Sequence, residues 1–195
     1  YRGKTIAECI EEGKLFLNTH TKEYDVYVRN DGKFDIENHL VSIIKADDAK
    51  ELMRFTKEHN VDLETKISSS GSGGLRGGDG SFGNVVKGTM LMVATINQKK
   101  ECFKWLLDQG ADVNTSCDVA YGPGCVKVFG KNATPIAVRG IAKYHMQKCM
   151  GSKVKIDMKD EFAEALIAKG ADTTVIVDVL SKKAVYDPVQ GIIFK

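Results

Sequence analysis

Three segments of the chain end in the same way. WLLDQGADVN (residues 105–114) and ALIAKGADTT (165–174) each contain an apolar run with helical spacing that stops at Gly-Ala-Asp, and FTKEHNVDLE (55–64) follows this pattern more weakly. A glycine suits such a stop, because the residue that follows the last helical turn commonly adopts a positive φ. Repetition of this kind predicts a chain built from similar structural units in succession.

The central segment extends backwards into one complete unit. Thr89 lies 21 residues before Gly110, and the sequence between them predicts a helix over 90–97, a turn and a second helix over 99–108. This unit resembles the ankyrin repeat, whose pattern is T-P-L-H-x-A, two short helices and G-A-D-V-N. Met90 and Met92 replace the proline and the histidine of that pattern. The positions that match are Thr89, Leu91, Ala94, Leu106, Leu107, Gly110, Ala111, Asp112, Val113 and Asn114.

Two further units are readable at 39–64 and 134–174. The first begins at His39, where the family has threonine, and we expect this side chain to serve the helix start. The last begins at Thr134-Pro135, and its start lies 36 residues before its stop, so about 15 extra residues (143–158) separate its helices. We interpret 1–195 as a single ankyrin repeat domain, with partial or capping units at 1–38 and 175–195.

The resemblance implies an all-α repeat solenoid: an ankyrin-type stack of helix pairs with β-hairpin fingers and long insertions. Ankyrin repeats start about 33 residues apart. Here the starts are 50 and 45 residues apart, which leaves insertions at 68–83 and 115–132. A third hairpin is predicted over 24–37, because two alternating runs flank Asn30-Asp31-Gly32, a strong turn signal.

The resemblance also implies a non-catalytic module for protein–protein interaction, which binds a partner protein through the inserted finger loops and the concave face. Long loops on a rigid scaffold often carry binding. Our candidate contact residues are the larger side chains of the two insertions. They are Tyr121, Phe129, Lys127 and Lys131 in the second insertion and Leu75, Arg76 and Phe82 in the first.

The alternative is a regulatory or enzymatic domain whose insertions form a pocket for a small molecule or nucleotide. GGDGSFGNVVKG (77–88) contains G-x-G-x-x-G-x-V, the pattern with which protein kinases cover ATP phosphates. Seven of the thirteen residues 71–83 are glycine, so the pattern arises easily by chance, and the other kinase motifs are missing. Residues 89–97 provide a test, since a kinase needs a strand there and the repeat needs a helix.

Composition narrows the class of function. The formal net charge of +2 provides no broad basic field for nucleic acid, and we find no apolar run of about 18 residues that could span a membrane. The five cysteines show no regular spacing, which favours reduced thiols in an intracellular, cytoplasmic protein; Cys117 and Cys125 can pair only under oxidising conditions. We expect neither a cofactor nor a metal site; His145 and Cys149 alone supply too few ligands.

Several residues receive structural predictions. We expect Asp112 and Asp172 to stabilise the turns after the stops, and Cys102 and Trp105 to lie in the core. We expect the domain to be monomeric. Because the first residue is Tyr1, we expect it to belong to a longer chain. A secreted effector is an alternative to a cytoplasmic protein.

Overall fold

The structure, a computed structural model, describes residues 15–17, 24–26, 36–69, 83–121, 128–150 and 160–195. Within these ranges the chain forms six helices: α1 Ile36–Ala46, α2 Ala49–Glu58, α3 Met90–Ile96, α4 Lys100–Asp108, α5 Pro135–Met150 and α6 Glu161–Ala168. The described strands are β1 Leu15–Leu17, β2 Tyr24–Val26, β3 Ile67–Ser69, β4 Gly83–Gly88, β5 Cys117–Tyr121, β6 Val128–Ala133, β7 Val177–Val179, β8 Lys182–Asp187 and β9 Gly191–Phe194.

The helices form three consecutive pairs, as the repeat pattern predicts. Side-chain oxygens cap the starts of helices: Asp48 accepts from the backbone N–H of Glu51, and Thr89 accepts from that of Met92. The predicted stops end their helices, with positive φ at Asn60 (48°), Gly110 (85°) and Gly170 (88°). The helix at Met90–Ile96 excludes the strand that a kinase would need there.

The prediction of an all-α fold is wrong, because the strands form extensive sheet. Strands β3 to β9 make one seven-stranded antiparallel sheet in sequential order, and β1 pairs with β2 separately. The pairings β4–β5 and β6–β7 join one finger to the next. The prediction counted the fingers as hairpins attached to an all-α stack, whereas backbone N–H and C=O groups along the edge of one finger bond to the adjacent finger.

The outgoing strands of the three units are equivalent in position and burial. Each of β3, β5 and β7 begins seven residues after its helix stop, at Asn60, Gly110 and Gly170 respectively. The first and third residues of each strand are buried and the second is more exposed. This alternation turns one face of the sheet towards the helices and the other towards solvent.

The segment after the last helix pair supplies a third finger and a final strand. Strands β7 and β8 form this finger, and β9 returns beside β8 and packs on α5. The backbones approach closely at Gly140 and Gly191: a Cβ at Gly140 would lie 2.3 Å from the carbonyl oxygen of Gly191. Strands therefore take the place on α5 where another helix pair would stack.

The hairpin predicted over 24–37 is wrong at both of the ends that the structure describes, and residues 27–35 lie outside the described residues. Tyr24–Val26 instead pairs with Leu15–Leu17, and Ile36 begins α1. Helix α1 thus starts before His39, so His39 does not serve the helix start. It is buried, with its ring centroid 4.5 Å from that of Phe55.

One hydrophobic core runs through all three pairs, from Leu40 in α1 to Ile192 in β9. Cys102 lies in this core as predicted, and Trp105 packs against it while partly buried. All seven residues of α3 are fully buried. None of the described helices is long and apolar enough to cross a membrane.

Candidate functional site

The turns after the helix stops fix the bases of the fingers. Asp112 accepts a hydrogen bond from the backbone N–H of Asn114 at 2.8 Å, and Asp172 accepts one from that of Thr174 at 2.8 Å. The predicted role of these two aspartates in the turns is confirmed. Hydrogen bonds to Thr174 also lower the pKa of the Asp172 carboxyl below its usual value.

Side chains at one repeated position link each turn to the next. Glu64 accepts from the backbone N–H of Asp112 at 2.8 Å, and Asn114, its counterpart one unit later, accepts from that of Asp172 at 2.8 Å. Asn114 also donates from Nδ2 to the carbonyl oxygen of Gly170 at 3.3 Å. These bonds hold the three finger bases in a fixed row, so the fingers project from a rigid support.

The solvent-facing side of the seven-stranded sheet, which we term the finger face, carries charged side chains on β4 to β8, whereas Ile193 of β9 exposes an apolar side chain at 41%. Asp178 lies between Lys131 and Lys183 in the register, and the Lys183 Nζ lies 2.7 Å from the Asp178 Oδ1. The exposed or half-buried charged side chains on the described strands of the finger face include Lys87, Asp118, Lys131, Asp178 and Lys183. Surface of this kind remains hydrated in the free protein and can meet a polar partner surface.

The predicted contact residues are placed only in part. Lys131 is exposed on the finger face. Tyr121 lies at the end of β5 and Phe129 lies in β6, where Tyr121 pairs with Val128. Phe129 pairs with Ala120, so the two aromatic positions occupy successive rows of the ladder. Leu75, Arg76, Phe82 and Lys127 lie outside the described residues.

The burial of α3 limits the side chains that the concave side of the helix stack can present to a partner. Because every residue of this central inner helix is buried, α3 presents no side chain to a partner. Thr95 and Asn97 use their side chains internally, donating to the carbonyl oxygens of Leu91 (2.7 Å) and Val93 (2.8 Å). The finger strands of the central unit are consequently more accessible than its inner helix.

Two thiols in the central unit are free and buried, at Cys102 and Cys117. Burial raises the pKa of the Cys117 thiol to about 11. Burial, with further effects of Asp47 and Asp48, also raises the pKa of Cys102. Both thiols therefore stay protonated at neutral pH, where a thiol is a poor nucleophile and a poor metal ligand. No group of three possible metal ligands occurs in the part of the chain that the structure describes.

The last unit contains a half-buried ion pair that sequence reasoning missed. Arg139 donates from Nε to the two carboxylate oxygens of Asp160 at 3.1 and 2.8 Å, and its guanidinium carbon lies 5.0 Å from the centre of the Phe162 ring. Asp160 also caps α6 by accepting from the backbone N–H of Ala163. Burial, together with the charges of Asp160 and Asp187, raises the pKa of neighbouring Tyr186.

Sequence contains a signal for two of the missed features, Arg139 and the third finger. Arg139 stands five residues after Thr134, the position at which Ala94 follows Thr89 in the repeat pattern. The V-D-V of β7 follows Gly170 at the same distance as the C-D-V of β5 follows Gly110. That correspondence, extended past the stop, would have predicted the third finger.

The stacked helix pairs, their linked turns and the projecting strands define a repeat protein. The family model described as ankyrin repeat matches residues 88–118, which confirms the resemblance predicted for the central unit. The match covers α3, α4 and the start of β5. Comparison with curated proteins gives no match. Ankyrin repeats are generally non-catalytic protein-interaction modules, so the match indicates this class of function.

Proposed function

We propose that the chain is a non-catalytic module that binds a partner protein through its inserted finger loops and the concave face beside them. The observation that carries this proposal is the union of the fingers into one sheet on a rigid helical support. Such a surface is preorganised, so binding requires little ordering of the backbone that presents it. The burial of α3 supports a larger share of the contact for the fingers than for the concave face.

The second finger is the site that we propose to test first. Tyr121 and Phe129 are the proposed anchors, since aromatic side chains dominate the binding energy of many interfaces. Tyr121→Ala and Phe129→Ala are best made separately, because the two positions lie in successive rows of the ladder. Lys131→Ala, on the exposed finger face, measures the contribution of charge at the same finger.

The decisive experiment is affinity capture from the native cell, followed by binding measurements with the purified captured protein. We expect the wild-type chain to bind it, and a variant shortened within 122–127 to lose at least about 10-fold in affinity, or about 1.4 kcal/mol. A captured protein that binds both chains equally would remove the second finger from the proposal. Circular dichroism of the shortened variant checks that its helices remain.

A separate measurement, the melting temperature in the presence of ATP, tests the alternative of a nucleotide pocket. We expect no change in the melting temperature of the chain when ATP or a non-hydrolysable analogue is added with Mg²⁺. A ligand that binds the native state raises the melting temperature by mass action, so a concentration-dependent rise would favour the alternative.

We further propose that the chain functions as a monomeric, cytoplasmic domain without nucleic-acid partners. Light scattering coupled to size exclusion tests whether the chain is a monomer, with an expected mass near 21.4 kDa. Titration of a labelled DNA duplex and a labelled RNA at physiological salt tests for nucleic-acid binding, and we expect no saturable binding.

A further inference from the structure

The tip of the third finger contains a turn whose residues do not suit its backbone. The last pair of the β7–β8 register joins Val179 to Lys182, which leaves Leu180 and Ser181 as a two-residue loop. Both loop residues have positive φ, 52° and 63°. Positive φ at both central residues is the property of a type I′ turn, which strongly prefers Asn-Gly or Asp-Gly.

The other left-handed residues among those described have roles that recur from unit to unit. Asn60, Gly110 and Gly170 follow helix stops; Asp47 and Gln98 lie between paired helices; Lys87 and Asn132 stand two residues before the threonines that open α3 and α5. Gly191 closes the β8–β9 turn. In the described ranges, Leu180 and Ser181 are the one consecutive pair, and no repeated stop or bulge explains them.

Leu180 also leaves its side chain in solvent. Its exposed fraction is 46%, whereas the strand residue before it, Val179, is fully buried. The core therefore does not explain a leucine at this position. Backbone strain that packing does not explain is found mainly at functional sites.

The surroundings of Leu180 are positively charged. Lys182 and Lys183 are both exposed and follow the turn directly. Asp178 pairs with Lys183, while Lys182 makes no ion pair with another described residue; its Nζ lies 5.9 Å from the centre of the Phe194 ring. A partner surface at this tip would gain from negative charge.

We propose that the tip of the third finger is a docking site at which Leu180 packs against apolar side chains that are flanked by carboxylates in a segment of a partner protein. The rigid two-residue turn holds the leucine outward, and Lys182 supplies the neighbouring charge. This inference shares with the proposed function only the class of partner, since it places the anchor on a different finger.

The first test replaces Leu180 and Ser181 together by Asn and Gly. This variant suits the type I′ turn, so we expect its melting temperature to rise by about 2–5 °C. An unchanged or lower melting temperature would show that the turn carries no strain, and would overturn the argument from the backbone.

The second test uses a phage library of 16-residue peptides restricted to Asp, Glu, Leu, Phe, Trp, Gly and Ser. It is selected on the wild-type chain and depleted on the Asn-Gly variant. We expect enriched peptides that bind the wild type at least 10-fold more tightly than the variant, with affinity reduced about 5-fold in 0.5 M NaCl. The Lys182→Ala variant should lose most of the part of the peptide affinity that depends on salt.

Val189→Asn is the matched control, because Val189 is even more exposed, at 73%, on the tip of the β8–β9 turn. Peptides that lose affinity equally on Val189→Asn, or the absence of any enriched peptide, would overturn the proposal. The outcome is independent of the native partner and of residues 122–127, so it is distinguishable from failure of the second finger.

Discussion

The central and the last helix pairs are built on the same repeat and are held together differently. In the central pair, α3 and α4 are separated by residues 97–99, and the backbone N–H of Lys99 bonds to the carbonyl oxygen of Ala94 at 2.9 Å. In the last pair, α5 continues to Met150, and α6 begins at Glu161. Arg139 replaces the small alanine, and its ion pair with Asp160 joins the two helices instead.

The pairs also differ in what covers them. Leu107 in the central pair is 5% exposed, whereas Ile167, the equivalent residue of the last pair, is 46% exposed. Helix α6 covers the central pair, with the Phe103 and Phe162 ring centroids 4.6 Å apart. The last pair is covered by strands, and these pack on α5. The same repeat is thus stabilised by stacking in the middle and by an ion pair and a strand cap at the end.

The largest effect on stability is expected at Leu107, the buried residue of the central pair. Leu107→Ala should destabilise the chain by about 2–4 kcal/mol, because it removes buried methyl groups and leaves a cavity between neighbouring pairs. Ile167→Ala, the matched change at the last pair, should cost about 0.5 kcal/mol, since much of that side chain is already in water. Guanidinium unfolding monitored by circular dichroism gives both values, and equal losses would contradict the comparison.

The sequence allowed the helix pairs to be predicted, because helical periodicity and the Gly-Ala-Asp stop are local signals. It did not allow the sheet to be predicted: the β4–β5 and β6–β7 pairings join residues of different fingers, and no local pattern encodes them. The third finger was missed because Leu180-Ser181 lacks the Asn-Gly signal of its turn type. Arg139 was missed because an arginine at an alanine position reveals its partner only in three dimensions.

The next largest effect on stability is expected where the strand cap, formed by β8 and β9, contacts α5. A methyl group at Gly140 would meet the Gly191 carbonyl oxygen at 2.3 Å, which is backbone and cannot rotate away. We expect Gly140→Ala to destabilise the chain by about 1–3 kcal/mol through overpacking, despite the better helix propensity of alanine. Hydrogen exchange should show the loss of protection concentrated in β8 and β9.

Gly110→Ala is a suitable control for Gly140→Ala. An added Cβ at Gly110 has open space around it, and the cost comes from its φ of 85° alone. We expect a loss of about 1 kcal/mol there, with unchanged protection of β8 and β9. If Gly140→Ala left those strands fully protected, the close approach would not hold the cap.

The ion pair of the last unit should show measurable coupling. Arg139 and Asp160 are only 13% and 18% exposed at their side chains, so their charge-assisted bonds are poorly screened by water. A double-mutant cycle with Arg139→Met and Asp160→Asn should give a coupling of about 1–2 kcal/mol, and the asparagine retains the helix cap.

The exposed pair Lys100–Glu161 is the control for this cycle. Its side chains are 66% and 68% exposed, so we expect a coupling of about 0–0.5 kcal/mol. Similar coupling in both cycles would show that Arg139 and Asp160 do not replace the short turn of the central pair.

The smallest effect concerns a thiol of the central unit that the last unit lacks. Cys117 begins β5 as Val177 begins β7, and both are buried, which indicates a packing role for the thiol. Burial raises its pKa to about 11, above the usual thiol value of 9.0. The folded state therefore disfavours the thiolate, so the contribution of the protonated thiol to stability is complete below about pH 9 and is lost as the pH rises towards 11. Relative to Cys117→Val, which does not titrate, the wild type should lose about 1 kcal/mol between pH 8 and pH 10 in guanidinium unfolding. A difference between the two chains that stayed constant over this range would show that the Cys117 thiol is accessible to water, and iodoacetamide would then label it in the folded protein at pH 8.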